Sequence, residues 1–441
     1  MSKLIDKLFF CSALRYALGF ALGSALAYCS SAMAGGPLIL EGPGGTTPVT
    51  YQNPGITLHV ENGTLGNLTN LEADVLVTEA FALWNDVDTS TINLAIDQIQ
   101  LQTVDIDINN FDSYLPTTNY SEFNADDNLN PIVYDNNGEI IDAFFGVGAS
   151  DHTIGFAASI FTSGGSFFKE GYAVINGKDL NLTTTTFKLL ITHEIGHFFG
   201  LDHTQVNIDN RETDFGSPSI CSTTSHEHYP VMYPFICRDV TTLHSDDISA
   251  VSTLYPAANV SSNFGTLQGR FVDDIGLPIL GANIWAENTT SGETFSVVSD
   301  YLRQNNGFYK MLLPAGSYTL HANSINPLFN GGSGVGPYTY DLNDISFQPP
   351  HPIAEVDYQG TTNDGNEEVI AINNGETVNI NFSSSGSLVE LISSDDDEDD
   401  SISDLFGATS HLTLWILATL LLLGRRFSTK SRLEYTDCDQ G

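Results

Sequence analysis

The sequence predicts an α+β body, an all-β sandwich behind it, and one apolar helix near the C-terminus that would span a membrane. Three observations carry this. Apolar residues recur at helical spacing around 71–84 and 187–198, with alternating strand-like stretches between them. From Gly265 the helical period disappears, and short strands alternate with Gly, Pro and Asn. Residues 405–424 form a mostly apolar run of spanning length without Asp, Glu, Lys or Arg, with Arg425, Arg426, Lys430 and Arg432 soon after it.

The chain has 441 residues, enough for two or three domains, and 41% of them are hydrophobic, enough for ordinary packed cores. Its 15 Lys+Arg face 54 Asp+Glu, for a net charge of -39, which argues against a nucleic-acid partner because phosphate binding needs clustered cations. That balance favours solubility, cation binding and a salty or extracellular setting.

In chain order, Lys3, Lys7 and Arg15, the apolar run 16–28 and Ala32-Met33-Ala34 have the layout of a secretory signal peptide over 1–34, making Gly35 the expected mature start. Residues 35–258 form the first body. In it, Val75, Val77, Ala80, Phe81, Leu83 and Trp84 predict a helix over about 71–84; "TVDIDI", "PIVYD" and "GYAVING" predict strands. Phe187, Leu190, Ile191, Ile195 and Phe198 predict a second helix, with Thr183 as N-cap and Gly200 just past its end. Residues 259–384 are the sandwich. Residues 385–404, with "DDDEDD" at 395–400, predict a charged linker; 405–424 the spanning or sorting helix; and 425–441 a basic cytoplasmic tail. These signals predict an exported chain, periplasmic or at the cell surface, anchored by that helix unless the tail is processed. No feature indicates an oligomer, and a monomer is assumed.

Two of the five cysteines, Cys11 and Cys29, lie in the signal segment. An exported chain permits disulfides, and a Cys221–Cys237 bridge would close a short loop, a stabilisation of about 3 kcal/mol.

The chemistry concentrates in "ITHEIGHFFGLDH" at 191–203. On a helix, His193 and His197 lie four apart and share a face, so their imidazoles can bind one metal ion. Glu194 sits one step round, beside the open coordination position. Gly200 can end the helix and turn the chain back, returning His203 as a third nitrogen ligand. Three protein ligands plus one water is the usual catalytic zinc arrangement.

The pattern HExxHxxGxxH resembles the metzincin metallopeptidases. "HYPVMYPFI" supplies Met232 for their methionine turn, and "LVTEAFALWNDV" and "LHSDDISAVSTLYP" are similar to the first and closing helices of the matrixin branch. The resemblance spans about 48–256. It implies a twisted mixed sheet with three main helices, one catalytic Zn2+ on His193, His197 and His203, and Glu194 as general base in the hydrolysis of protein or peptide substrates. It also implies that Tyr233, Pro234 and Phe235 wall a substrate pocket, plain packing being the other reading. An extended substrate would add to a sheet edge, such as "GYAVING". The chain departs from matrixins in having no Cys between Gly35 and His193, in having His152 as its one His between Leu101 and Thr192, and in placing Thr204 where serine is commoner. Within 259–384, "VDDIGLPILGANIWAEN" and "NNGFYKMLLPAGSYTLHA" resemble carboxypeptidase regulatory-like domains.

The sequence leaves a second function class open: a non-catalytic adhesion or interaction protein with a structural zinc. Residues 134–142, "YDNNGEIID", offer oxygen ligands for Ca2+ or else a simple Asn-Gly turn. Asp202 offers an orienting carboxylate or a solvated one.

Overall fold

A computed structural model describes residues 36–41, 46–116, 127–161, 167–178, 182–204, 221, 226–325, 353–361 and 365–389. The first body is built on a six-stranded mixed sheet. Its strands are β3 (Thr50–Tyr51), β4 (Gly55–Val60), β5 (Asn93–Asp97), β6 (Pro131–Asp135), β7 (Gly155–Phe161) and β8 (Phe167–Asn176), after a short β1–β2 pair (Leu40–Glu41, Thr47–Pro48). The order is β3-β8-β6-β4-β5, all parallel, with β7 added antiparallel to β8.

Alternation along the central strands sends side chains into two cores. Ile132 and Tyr134 of β6 join the layer under the helices, while Val133 faces the opposite layer with Ile140, Tyr172 and Val174. β8 pairs with both β6 and β7, so the "GYAVING" stretch is interior, and among the described residues the edge that a substrate strand could extend there belongs to β7 instead. The sequence favoured β8 because its apolar run is the stronger strand signal, and that same strength marks a strand buried on both faces.

Helix α1 (Asn70–Asn85) starts at Thr69 with a reciprocal cap: the Thr69 hydroxyl accepts from Glu72 N, and the Glu72 carboxylate accepts from Thr69 N. It buries Ala73, Leu76, Val77, Ala80, Phe81 and Trp84, leaving Val75 exposed. The short α2 (Glu139–Phe145) follows β6. Helix α3 (Thr184–Phe198) starts where predicted, with the Thr183 hydroxyl accepting from Thr186 N, and it ends at Phe199. Gly200 follows at φ +104°, a conformation that favours glycine, and an added Cβ would sit 2.8 Å from the Phe168 ring. Helix α4 (Ser245–Leu254) closes the body, and a short α5 (Val260–Asn263) leads out of it.

The second body has two sheets. One runs β11 (Thr294–Val298), β10 (Asn283–Asn288), β13 (Gly316–Asn323), β14 (Val356–Asp357), with β15 (Ile370–Ile372) also on β13. The other runs β12 (Phe308–Pro314), β9 (Phe264–Val272), β16 (Thr377–Asn379), with β17 (Phe382–Ser383) also on β9. Leu267, Phe271, Ile284, Phe295, Tyr309, Leu320 and Phe382 fill the space between them. Burying such apolar faces stabilises by about 25 cal/mol per Å2.

One expectation is corrected. Among the described residues no helix is long and apolar enough to cross a membrane; the longest, α1, has 16 residues where a span needs about 20. The apolar stretch 405–424, residues 1–34 and residues 390–404 lie outside the described residues, whereas 385–389, expected in the linker, belong to the sandwich, with Leu388 packed on its core.

Candidate metal centre

The last two turns of α3 point His193 and His197 to one side, and the turn at Gly200 returns His203 to meet them. The three Nε2 atoms form a triangle with edges of 3.0, 3.0 and 3.1 Å. Each ring is buried, and burial lowers His193 to about 4 and His197 to about 3, with His203 also well below its usual range. All three imidazoles are therefore neutral at pH 7. His193 Nδ1 donates to Val231 O at 2.6 Å, and His197 Nδ1 to Leu201 O at 2.7 Å. Those bonds fix the tautomer and leave the Nε2 lone pairs of both rings turned inward. Converging lone pairs repel unless a cation lies between them. Tetrahedral zinc with Zn–N bonds of about 2.05 Å would set nitrogens about 3.3 Å apart, close to the triangle seen. The donor set fits zinc.

Glu194 is fully enclosed, burial raises its carboxyl to about 8, and its Oε2 has no hydrogen-bond partner. A divalent cation beside it acts in the opposite direction and favours the carboxylate. Its other oxygen lies against Gly155, the first residue of β7, where an added Cβ would approach Oε1 to 2.8 Å.

Met232 lies beneath the site, packed so closely on α3 that a Cβ on Gly196 would meet its Sδ at 2.3 Å. Its turn is held by a residue the sequence reading did not single out. The buried Asp247 carboxylate accepts from Val231 N, Met232 N and His244 N at 2.8, 3.0 and 2.8 Å. Its neighbour Asp246, raised to about 7 by burial, accepts from the Thr204 hydroxyl at 2.6 Å. The signal was the adjacent acidic pair at the start of a helix, a pattern that capping alone explains in most chains.

The loop from Gly200 to Thr204 is held on further sides. Leu38 N donates to Gly200 O, Asp202 N donates to Gly36 O, and Thr204 N donates to Met232 O. Asp202 is buried, and its carboxylate accepts from His203 N at 2.8 Å, so it is not a solvated aspartate. Tyr255 donates from its hydroxyl to Phe199 O at 2.6 Å.

Tyr233 is buried, its ring centroid 4.8 Å from that of Tyr229, in a small cluster with Cys237, Val298 and Ile325. Pro234 and Phe235 are half-buried. Cys221 and Cys237 are joined by a disulfide, their Cα atoms 5.4 Å apart. Residues 134–142 offer no free calcium cradle. The Asp135 carboxylate accepts from Ile141 N at 2.9 Å, its carbonyl accepts from Gly138 N at 3.3 Å, and Gly138 takes the left-handed turn conformation. A second cluster, His321, Asp357 and Glu367, has both ring nitrogens engaged: Nδ1 with Asp357 at 2.7 Å and Nε2 with Thr319 at 2.8 Å.

Residues 77–204 match the family model described as metallo-peptidase family M12B, reprolysin-like. No curated protein matches the chain. Among solved structures, the 5-hydroxyisourate hydrolase of Klebsiella pneumoniae is similar to part of it, at 18% identity over 27% of this chain and 88% of that one; its TM-score of 0.14 supports no structural argument. The matched model is reprolysin-like, so the matrixin reading widens to the metzincins as a group. Match and triad together support a zinc metallopeptidase domain of the metzincin kind.

Proposed function

We propose that the chain is an exported zinc endopeptidase that cleaves peptide bonds in extracellular proteins. The observation that carries this reading is the enclosed Glu194 carboxylate, with one oxygen unpartnered, beside three neutral imidazoles. A structural zinc site is closed by four protein ligands and has no use for a base at its rim.

A zinc ion in this cradle supplies Lewis-acid polarisation of the scissile carbonyl and makes water a stronger nucleophile. Glu194 takes the proton of the attacking water at its free oxygen and delivers it to the leaving amine nitrogen. The open edge of β7 starts at Gly155, against Glu194, so an extended peptide added there passes the carboxylate. The Cys221–Cys237 bridge supports an oxidising compartment, in keeping with export.

Full-length Glu194→Gln protein should retain one equivalent of zinc while its chelator-sensitive cleavage of casein falls about 10²–10⁴-fold. Zinc retention with undiminished cleavage would remove Glu194 from the reaction and the reading with it.

A further inference from the structure

We infer that the β-sandwich is a working part of the metal centre, joined to the third ligand through Asp246 as a positioning residue. The link rests on one carboxylate whose two oxygens serve different bodies. Asp246 Oδ2 accepts the hydroxyl of Thr204, the residue after His203, at 2.6 Å. Asp246 Oδ1 accepts the backbone amide of Ser296, on β11 of the sandwich, at 2.9 Å.

β11 is the edge strand of its sheet, so the Ser296 amide points away from the ladder and needs a partner outside it. The start of α4 covers that edge. Ser245 donates to the Glu293 carboxylate at 2.7 Å, and Ser249 donates to Leu312 O of β12 at 2.7 Å. The same face holds Val298 and Ile325 of the sandwich against Tyr229, Tyr233 and Cys237 around the methionine turn. A shift of β11 therefore moves Asp246, and Asp246 moves Thr204 with the His203 backbone. Thr204 cannot take up the change elsewhere, because its amide is already tied to Met232 O at 2.8 Å. Buried polar groups held this way have few alternative partners, so the linkage transmits position. The sandwich is then a positioning element for the zinc ligands rather than a spacer.

This inference rests on the zinc reading of the triad, and its test is read through the metal rather than through cleavage. The full chain is loaded with one zinc, and release to excess chelator is followed with a zinc-sensitive dye. Ser296→Pro removes the amide donor, a change an edge strand tolerates; Ser296→Ala keeps the amide and loses only the hydroxyl. Release should quicken about tenfold in Ser296→Pro and stay within about twofold of wild type in Ser296→Ala. Thr204→Val cuts the link from the other side. The double variant Thr204→Val/Ser296→Pro should release zinc no faster than the faster single variant, because both cut one chain of bonds. Multiplicative effects, or a wild-type rate in a folded Ser296→Pro protein, would overturn the linkage. Should Ser296→Pro fail to fold, Asp246→Ala and Asp246→Asn decide. The amide of Asn can accept from Ser296 and donate to Thr204, so it should restore slow release where Ala does not; equal rates for the two would overturn the linkage. Zinc bound by a wild-type chain that cleaves nothing would count against the endopeptidase reading and leave this comparison standing.

Discussion

At the scale of single residues, the site depends on places where a side chain is missing. Gly155 lets the Glu194 carboxylate lie against the first residue of β7, and a methyl group there would come within 2.8 Å of Oε1. The three atoms nearest to such a methyl group all belong to Glu194. Gly155→Ala should lower kcat about 10²-fold through displacement of the base, and leave zinc stoichiometry and release rate as in wild type. Loss of zinc in step with activity would show that the methyl disturbs the ligands instead. Gly200→Ala tests the turn that returns His203. Its φ of +104° and the Phe168 ring at 2.8 Å both oppose a Cβ, so urea unfolding should show a loss of about 1–3 kcal/mol. The ligands and Gly200 were legible because helical geometry ties spacing to direction. Gly155 was not, because its importance comes from a strand and a helix that meet across 39 positions.

At the scale of elements, α4 serves the site more than its place in the sequence suggests. Its first turn carries Asp246 and Asp247, both buried where an ordinary helix start would be solvated. Asp247 satisfies three amides of the methionine turn and of its own N-terminus. Asp247→Ala leaves those donors orphaned, and should cost about 3 kcal/mol or more in urea unfolding, with faster zinc release because Val231 O also holds His193. A cost below about 1 kcal/mol would mean that water replaces the carboxylate. The helices themselves were readable: α1 and α3 lie where periodicity put them, Thr183 caps as expected, and the change to short strands near Gly265 marks the sandwich. What periodicity could not supply is which strand is the edge. β7 has a weaker apolar pattern than β8, and the order of strands in a sheet is a long-range property. Tyr233, assigned to a pocket by resemblance, has its ring buried in a cluster with Tyr229, Cys237, Val298 and Ile325.

At the scale of the whole molecule, a chain this acidic encloses carboxylates that titrate far from their usual range. Glu61 is the clearest away from the metal centre. Burial raises it to about 7, although it accepts from Gly63, Ile106 and Tyr134 amides. Between pH 4.5 and 7 the folded chain holds a proton at Glu61 that the unfolded chain has released. Folding then binds a proton, and raising the pH through that window withdraws stability, by roughly 3 kcal/mol at most for this group. Below pH 4.5 both states are protonated and the contribution is complete; above pH 7 it is gone. Glu61→Gln keeps one carbonyl acceptor and removes the titration. The variant should be the less stable protein at pH 5, where the protonated wild-type carboxyl still offers two oxygens to the three amides and Gln turns an NH2 donor toward one of them. Its deficit should shrink steadily toward pH 8, as wild type has to ionise a buried acid and the variant does not. Urea unfolding of both proteins at pH 5, 6, 7 and 8 measures the difference directly. A constant difference across that range would mean that the three amides hold Glu61 ionised throughout, and that the buried end of β4 is stabilised by a charge rather than by a proton.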